Sequence, residues 1–395
     1  MTDSGSTASP QRVLLMSEYF LPQKGGSVTW LANLYSRLAP HDVSVLAGTC
    51  EHQELGDAAF PHPVDRAPMS FPDRDPTVFS ALGSYWKLYQ ATRKVCRGRK
   101  IQQIHCGKVL PEGWVAYWMK KLHGVPYVMY AHGEEITTSL LSRRLKLVLP
   151  LIYKGADAVV ANSAHTGEIL ESIGVPASRI HVIHPAVPAE QFEGVEPQGR
   201  ELRARHGLEE DPVVLTVGRL QLRKGHDVAI KAMPKILQQH PRVKYVIVGS
   251  GEERDSLENL AGSLGVTDHV IFPGVVSDEE LPAWYGACDV FLMPNRTVNQ
   301  DLEGFGIVFL EAAAARRPSI AGSTGGTRES VVDGVTGLLV DGESEQEVAQ
   351  AVCELLGDRD RADQLGAAGR ARVERDFTYD ASARRLRRLT DELVG

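Results

Sequence analysis

Residues 212–227 read "PVVLTVGRLQLRKGHD", and the character of this stretch changes at Gly218. Before the glycine, a run of β-branched and aliphatic residues predicts a buried strand over residues 212–218. After it, a basic loop opens a segment with the composition of a helix. A buried strand that leads through a short loop into a helix is the repeating unit of parallel sheets covered by helices. The stretch therefore predicts an α/β fold.

The same alternation of short apolar runs and longer helical patterns continues on both sides. The other predicted strands are 12–17, 42–48, 126–132, 157–163 and 180–184 in the first half of the chain, and 243–249, 269–274 and 289–294 in the second. Because helical patterns fill most of the gaps, we expect each half to form a parallel sheet with helices on its faces.

A Pro- and Gly-rich stretch, "PAVPAEQFEGVEPQG" at residues 185–199, separates the two groups of strands. It predicts a linker between two Rossmann-like domains, residues 1–188 and residues 189–376. We expect the parallel sheets of the two domains to face a central cleft. Open α/β sheets bind ligands at the carboxyl ends of their strands, so the loops after the strands are the candidate sites.

Composition limits the class of protein. The chain has 395 residues, of which 43% are hydrophobic and 24% charged, as in globular proteins large enough for two cores. The first residues lack the basic and apolar regions of a signal peptide, and the most apolar run, residues 145–153, is too short to span a bilayer. The 5 cysteines are scattered without a CxxC pair and indicate neither a disulfide framework nor a zinc site. The sequence predicts a cytoplasmic protein with reduced cysteines.

The loop after the strand at 212–218 carries two cations, Arg219 and Lys224, just before a predicted helix. Each can donate charge-assisted hydrogen bonds to phosphate oxygens, so together they suit a diphosphate. The alternative is a solvated basic turn that binds nothing.

Two loops in the first half carry weaker signals. Gly25 and Gly26 would let the backbone approach a ligand just before a helix that Ser27 could cap, although an ordinary tight turn also explains them. His132 begins the "HGEE" segment (132–135) at the end of a predicted strand. A histidine at such a strand end is either a structural residue or a group that acts on a ligand.

The stretch "DLEGFGIVFLEA" at residues 301–312 keeps two carboxylates in an apolar setting. The glycines at 304 and 306 predict a loop, after which "IVFLEAAAARR" predicts a helix that runs to Pro318. Glu303 then lies in the approach loop and Glu311 inside the helix. The free N–H groups between them could bind a phosphate or a sugar oxygen. The alternative is a core helix whose dipole Glu303 complements.

Taken together, these loops resemble those of retaining family-4 glycosyltransferases of the GT-B fold. The resemblance covers essentially the whole chain. It rests on "PQKGG", "AHGEE", "VGRLQLRKGHDVAIKA", "IVGSGEE", "GVVSDEELPAWYGACDVFLMPN", "EGFGIVFLEA" and "GSTGGTRESVVDGVTGLLVDG", which occur in the family's order. The final segment, residues 377–395, is similar to the family's last helix, which packs back on the first domain.

The resemblance implies a role for each loop. Arg219 and Lys224 would bind the donor diphosphate, and Glu311 would bind the nucleotide ribose. Glu303 would hold the donor sugar, which His132 would approach from the first domain. The implied catalytic residues are His132, Glu303, Arg219 and Lys224. The implied donor-binding residues are Gly25, Gly26, Arg219, Lys224, Val275, Glu303, Gly304, Phe305, Gly306, Ile307 and Glu311.

The resemblance also implies retention of anomeric configuration, with no cofactor and no metal ion. Two DxD strings occur, Asp73–Asp75 in a proline-flanked loop and Asp358–Asp360 near the C-terminus, and we interpret both as solvated surface. A nicotinamide-dependent oxidoreductase is disfavoured, because "GSG" at 249–251 and "GFG" at 304–306 lack the third glycine of GxGxxG. A sugar-nucleotide epimerase or an inactive sugar-binding protein of the same fold stays open.

Donor and acceptor are less constrained. The sequence of residues 301–312 is similar to that of mannosyltransferases acting on phosphoinositide lipids. This similarity slightly favours GDP-mannose over a UDP-hexose as the donor. The acceptor is a lipid-linked, saccharide or small-molecule hydroxyl. Residues 1–188 carry a net charge of +4 and the remainder −11. The basic, apolar segment at 142–154 and the basic run at 93–100 indicate either peripheral contact with an anionic membrane or a buried helix with a solvated basic start.

Overall fold

The computed structural model describes residues 11–23, 25–39, 41–71, 75–133, 136, 142, 144–299 and 301–393. The chain divides into two compact units. The first comprises Met1–Pro185 together with Tyr379–Gly395, and the second comprises Ala186–Thr378.

The first unit contains one parallel sheet with the strand order β3-β2-β1-β4-β5-β6-β7. Its strands are β1 (Arg12–Ser17), β2 (Asp42–Gly48), β3 (Val64–Ala67), β4 (Gln103–Cys106), β5 (Tyr127–Ala131), β6 (Ala158–Ala161) and β7 (Ile180–Val182). The order reverses between β1 and β4, and loops that leave such a switch point diverge and open a crevice. The candidate site of this unit is therefore the carboxyl edge of β1, β4 and β5.

The second unit repeats this architecture with the strand order β10-β9-β8-β11-β12-β13, again all parallel. Its strands are β8 (Val213–Val217), β9 (Lys244–Val248), β10 (Val270–Gly274), β11 (Val290–Met293), β12 (Ser319–Gly322) and β13 (Gly337–Val340). The switch point lies between β8 and β11. The loops after these two strands, far apart in sequence, therefore become neighbours.

Helices cover the sheets. They are α1 (Gly26–Ser36), α2 (Gln53–Ala59), α3 (Phe79–Gly98), α4 (Trp114–His123), α5 (Leu145–Gly155), α6 (Ala164–Ser172), α7 (Glu196–His206), α8 (His226–Gln239), α9 (Arg254–Ser263), α10 (Leu281–Ala287), α11 (Ile307–Ala314), α12 (Thr327–Ser330), α13 (Glu345–Gly357), α14 (Arg359–Asp376) and α15 (Tyr379–Glu392). No helix in the described ranges is both long and apolar enough to cross a membrane.

Side chains of β8 alternate between two separate cores, as period-2 geometry requires. Leu215 and Val217 pack into one core with residues of α10 and α11, whereas Val214 packs into the other with residues of α8 and α13. Both faces of this sheet are therefore buried, which explains why the strand is apolar along almost its whole length.

The last helix belongs to the first unit, although the chain reaches it only after completing the second. Gln103 of β4 donates a hydrogen bond from Nε2 to the carbonyl oxygen of Thr390 in α15, at 3.1 Å. His41 Nε2 lies 3.5 Å from Asp391 Oδ1 of the same helix. Burial lowers the pKa of His41, so this contact is mainly one with a neutral imidazole.

All nine predicted strands are present, trimmed at some ends. Three predictions about their surroundings are wrong. Residues 196–199 of the predicted linker belong to α7. The helix expected to run from 307 to Pro318 ends at Ala314, because Arg316 adopts a left-handed φ of 58° before β12 begins. Ser27 does not cap α1, because the N-cap is Gly25, two residues earlier, and no side chain caps the helix.

Candidate active site

The loop after β8 forms a short turn, Leu222–Lys224, that ends at Gly225. Gly225 has a φ of 76°, and a Cβ atom there would overlap the carbonyl oxygen of Pro294, which follows β11. The glycine therefore lets the loops of the two switch-point strands touch. This contact brings Lys224 to the segment that leads into α11.

Lys224 meets Glu303 at this point, and a second cation joins them. Glu303 Oε2 accepts hydrogen bonds from Lys224 Nζ and from Arg223 Nη1, the latter at 2.8 Å. Arg223 Nε lies 3.1 Å from Asp301 Oδ2. Because the side chains of Arg223, Lys224 and Glu303 are at most 13% exposed, water screens these charges only weakly. We call the four side chains Asp301, Arg223, Glu303 and Lys224 the ion cluster. Their charges interact more strongly than they would at an exposed surface.

The cations decide the charge of Glu303. Burial raises the pKa of its carboxyl group, but the charges and hydrogen bonds of Lys224 and Arg223 outweigh burial and hold the pKa below its usual value. Asp301, on the outer side of Arg223, has a raised pKa because burial outweighs the charge of Arg223. Glu303 is therefore ionised at neutral pH and is available to orient hydroxyl groups.

The segment after Glu303 forms the start of α11. Gly304, Phe305 and Gly306 are buried, and Gly306 is the N-cap with a φ of 83° and no side-chain cap. The first N–H groups of the helix, including that of Ile307, are thus not capped by a side chain. The Gly326 N–H donates to the Glu303 carbonyl oxygen at 3.1 Å and fixes the loop from behind. A helix end with free N–H groups beside two cations favours an anionic ligand.

Glu311 lies one turn inside α11 and has a partner of its own. Tyr285 of α10 donates its hydroxyl proton to Glu311 Oε2 at 2.6 Å. Burial raises the pKa of Glu311, although the hydrogen bond from Tyr285 and the charge of Lys224 oppose the change. A half-buried carboxyl group anchored through one oxygen can use the other to accept hydrogen bonds from a ligand's hydroxyl groups.

The other predicted residues of this unit lie outside the ion cluster. Arg219 is exposed, and within the described ranges its side chain has no ion pair or hydrogen bond. Its carbonyl oxygen contacts the Nε2 atom of His226, whose pKa burial lowers to about 4. Val275 follows β10, the edge strand, and is 73% exposed. The structure thus brings Lys224 to Glu303 but does not bring Arg219 or Val275 there.

In the first unit, His132 follows β5. Its Nε2 atom contacts the Gly107 carbonyl oxygen at 3.1 Å, and its ring lies edge-on to Trp30, with centroids 5.7 Å apart. Gly25 and Gly26 begin α1, and a Cβ atom on Gly25 would meet open space. Glu134 and Glu135 of the "HGEE" segment lie outside the described residues.

Sequence reasoning missed several charged residues at both switch points. Arg223 is the clearest, and its only sequence signal is its position beside Lys224. In the first unit, the N–H of Glu18, just after β1, donates to Glu112 Oε1 at 2.6 Å. Lys108 Nζ, after β4, lies 3.7 Å from Glu18 Oε2. Burial raises the pKa of Glu112 to about 7. No pattern in the sequence links these three residues.

The DxD strings have ordinary surroundings where the structure describes them. Asp358 is the N-cap of α14 and accepts a hydrogen bond from the N–H of Arg361 at 3.0 Å. Asp75 accepts hydrogen bonds from the N–H and hydroxyl of Thr77, and Asp73 lies outside the described residues. Among described residues, no three His, Cys, Asp or Glu side chains come together as a metal site would require.

Comparison with known proteins gives matches over the whole chain. Residues 24–191 match the family described as Glycosyltransferase Family 4, and residues 199–372 match Glycosyl transferases group 1. The chain is 37% identical, over 95% of its length and 97% of the relative's, to a GDP-mannose-dependent alpha-(1-6)-phosphatidylinositol monomannoside mannosyltransferase of Mycobacterium tuberculosis. A protein of the same description from Mycolicibacterium smegmatis is 33% identical over 91% of this chain and 92% of its own length.

Solved structures show the same fold. Anabaena Alr3699/HepE in complex with UDP aligns with a TM-score of 0.83 at 20% identity, covering 97% of this chain and 100% of that one. Sucrose-phosphate synthase from Thermosynechococcus elongatus aligns with a TM-score of 0.80 at 25% identity, covering 97% and 99%. Since near full-length relatives and both family matches agree with this architecture, the chain belongs to glycosyltransferase family 4 and is a glycosyltransferase of the GT-B fold.

Proposed function

We propose that this glycosyltransferase moves a mannosyl residue from GDP-mannose to a hydroxyl group of a phosphatidylinositol mannoside, with retention of anomeric configuration. The structural observation that carries the proposal is the pair of buried cations, Arg223 and Lys224, on Glu303 at the N-terminus of α11. The two mycobacterial relatives, whose names state this donor and acceptor, support the choice of substrates.

In this proposal, the donor lies on the second domain, residues 189–376. Arg219 and Lys224 bind the diphosphate, together with the N–H groups from Gly304 to Ile307. Glu303 holds the mannosyl hydroxyls and Glu311 the ribose. The guanine base lies against the main chain near Val275. Two cations and a helix end supply the positive charge that a diphosphate requires, so the proposed reaction uses no metal ion and no cofactor.

The charges explain how the bond would break. Cleavage of the anomeric C–O bond builds positive charge on the sugar and negative charge on the departing diphosphate. Lys224, Arg219 and the helix N-terminus stabilise the second charge. The acceptor hydroxyl attacks from the face that the diphosphate leaves and passes its proton to a phosphate oxygen. The new bond then has the same configuration as the old one.

We assign the acceptor to the first domain, residues 1–188. The loops after β1 and β5 carry the predicted residues Gly25, Gly26 and His132. His132 is held by Gly107 and by the ring of Trp30, so its imidazole has a fixed orientation. We propose that this imidazole contacts the transferred sugar during the reaction.

A transfer assay tests the proposal directly. Purified protein is incubated with radiolabelled GDP-mannose and phosphatidylinositol monomannoside in vesicles, with UDP-glucose as a second donor. We expect labelled lipid and one GDP per mannose transferred, with an α-linkage when the product is examined by NMR. Isomerised sugar nucleotide in the absence of acceptor would identify an epimerase instead. Absence of nucleotide release from either donor would indicate an inactive binding protein.

An exposed apolar surface on the first unit supports contact with the membrane that carries such a lipid. Phe79 of α3 is 89% exposed and Leu147 of α5 is 79% exposed, and both line one shallow depression. Leu82 and Trp86 of α3 and Leu151 of α5 are exposed as well. We call these five residues the apolar stripe. One face of α5 is buried, through Val148, Leu149, Ile152 and Tyr153, as the alternative of a buried helix expects, whereas Leu147 and Leu151 leave the other face exposed.

Cations flank the apolar stripe. Arg144, at the start of α5, has a side chain that is 66% exposed, and Lys146, Lys154 and Lys87 are exposed as well. Apolar side chains that insert between headgroups, with cations around them, suit the surface of an anionic bilayer. We propose that the apolar stripe rests on the lipid surface.

Sedimentation with vesicles tests this contact. Phe79→Asp combined with Leu147→Asp should lower the partition coefficient onto phosphatidylinositol-containing vesicles by about tenfold or more, because each apolar side chain contributes roughly 1.5–3 kcal/mol on burial. Leu122→Asp is the matched control, since Leu122 is 62% exposed on α4, outside the stripe. Equal partition of the double variant and the wild type would refute the contact.

A further inference from the structure

The ion cluster contains more charge than the diphosphate site needs. In the proposed function Arg219 and Lys224 bind the donor phosphates, yet Arg223 contacts two carboxylates instead. It lies 3.1 Å from Asp301 and 2.8 Å from Glu303. The four side chains form a chain of alternating charge in the order Asp301, Arg223, Glu303, Lys224.

Arg223 is held at its backbone as well as at its side chain. The Arg296 N–H donates to the Arg223 carbonyl oxygen at 2.8 Å. The guanidinium of Arg296 in turn makes two hydrogen bonds to Asp227, at 2.8 and 3.1 Å. The loop after β11 therefore fixes the turn after β8, and Arg223 has little freedom to turn toward a ligand.

Lys224, by contrast, faces two competing anions. In this structure its ammonium group contacts Glu303, while the proposed function also requires it to bind the donor diphosphate. An ion pair limited to Lys224 and Glu303, with both side chains nearly buried, would resist the exchange because the buried carboxylate would lose its single partner. Since Arg223 donates a hydrogen bond to the same oxygen of Glu303, Lys224 can leave without stranding the carboxylate.

We propose that Arg223 is a positioning residue for the transfer reaction: it holds Glu303 in place for the sugar and so frees Lys224 for the diphosphate. The inference rests on the proposed function and adds a residue that acts through Glu303 and Lys224. Asp301 Oδ2 lies 3.1 Å from Nε, the guanidinium nitrogen nearest the stem of the side chain. The planar fork of arginine suits this task, because it can bond two carboxylates at once, which an ammonium group does less well.

The test measures GDP affinity by calorimetry in a suppressor series. Arg223→Gln leaves Glu303 with Lys224 as its single cation, so the Kd for GDP should rise about tenfold, the usual worth of one charged hydrogen bond. Adding Glu303→Gln removes the competing carboxylate, and the double variant should recover GDP affinity to within about threefold of the wild type. Its kcat should not recover, because the sugar contact is lost. A purely structural role for Arg223 would not give this recovery.

Controls separate the possible failures. Arg242 is exposed and lies just before β9, at the amino end of the strands, whereas the ion cluster lies at their carboxyl end. Arg242→Gln should therefore leave the Kd for GDP unaltered. If Arg223→Gln does not fold, Arg223→Lys takes its place in the series. This variant should lose less GDP affinity, and adding Glu303→Gln should again restore the affinity. An unchanged Kd in the single variant, or equal Kd values in single and double variants, would overturn the role of Arg223. If the wild type binds no nucleoside diphosphate, the proposed function itself fails, and this inference with it.

Discussion

Glu303→Gln is expected to lower kcat by about 100-fold or more while the Kd for GDP stays at or below its wild-type value. The carboxylate is ionised at neutral pH because Lys224 and Arg223 hold its pKa down. In the proposed reaction it orients the sugar hydroxyls and offsets the positive charge that develops at the anomeric carbon. An amide keeps the shape and one acceptor oxygen but loses the charge, so the loss should appear mainly in turnover.

Glu311→Ala serves as the contrasting variant in the same kinetic series. A ribose contact is equally strong in the ground state and the transition state, so its removal should mainly raise the donor KM. Steady-state kinetics with GDP-mannose on both variants distinguish the two roles. If Glu303→Gln retained its kcat while Glu311→Ala lost turnover, the assignment of the two carboxylates would have to be reversed.

Lys224→Met should have a comparable or larger effect on turnover. Removing one preorganised donor to a developing anion typically lowers kcat by about 10²–10³-fold. Methionine keeps the unbranched shape of lysine without its terminal ammonium group, and Arg223 continues to neutralise Glu303, so the variant should fold. Single-turnover rates and the melting temperature without ligand should be measured together.

The matched control for this variant is Lys231→Met. Lys231 lies on α8, pairs with Asp227 at 3.5 Å and is 45% exposed. A surface pair of this kind contributes little to stability, and the control should keep wild-type kinetics. A Lys224→Met enzyme with normal kcat would show that another group stabilises the departing diphosphate.

Some strands could be predicted from the sequence and others could not, and the difference has a physical basis. The predicted strands are apolar because the faces of a parallel sheet are buried. Strand β4 escaped notice because "QIHC" places two polar side chains, Gln103 and His105, in the core. They are tolerated because they are hydrogen-bonded: His105 contacts Gln103 at 2.9 Å and Tyr35 at 2.6 Å, and burial lowers its pKa to about 3. Strands β12 ("SIAG") and β13 ("GLLV") are short and each contains a glycine, a residue depleted in strands, whereas the equally short β6 ("AVVA") and β11 ("VFLM") contain none.

The sequence could predict which loops carry the site residues, but not which of those residues contact one another. The sequence places Lys224 after one strand and Glu303 after another, 79 positions apart. Their meeting depends on β8 and β11 being neighbours at the switch point, and spacing along the chain does not give strand order. The same reason hid Arg223, whose two carboxylate partners become visible only when the loops are folded together. Family resemblance supplied roles for the residues but not these contacts.

The donor itself gives the sharpest test. The melting temperature of the wild-type protein and of Lys224→Met should be measured with GDP, UDP and ADP at equal concentrations. A ligand present at 100 times its Kd stabilises the protein by about 2.7 kcal/mol, which a melting curve resolves easily. We expect GDP to give the largest shift with the wild type, and a clearly smaller shift with Lys224→Met. An equal or larger shift with UDP or ADP, or no shift with any of the three, would contradict a GDP-sugar donor bound at this ion cluster.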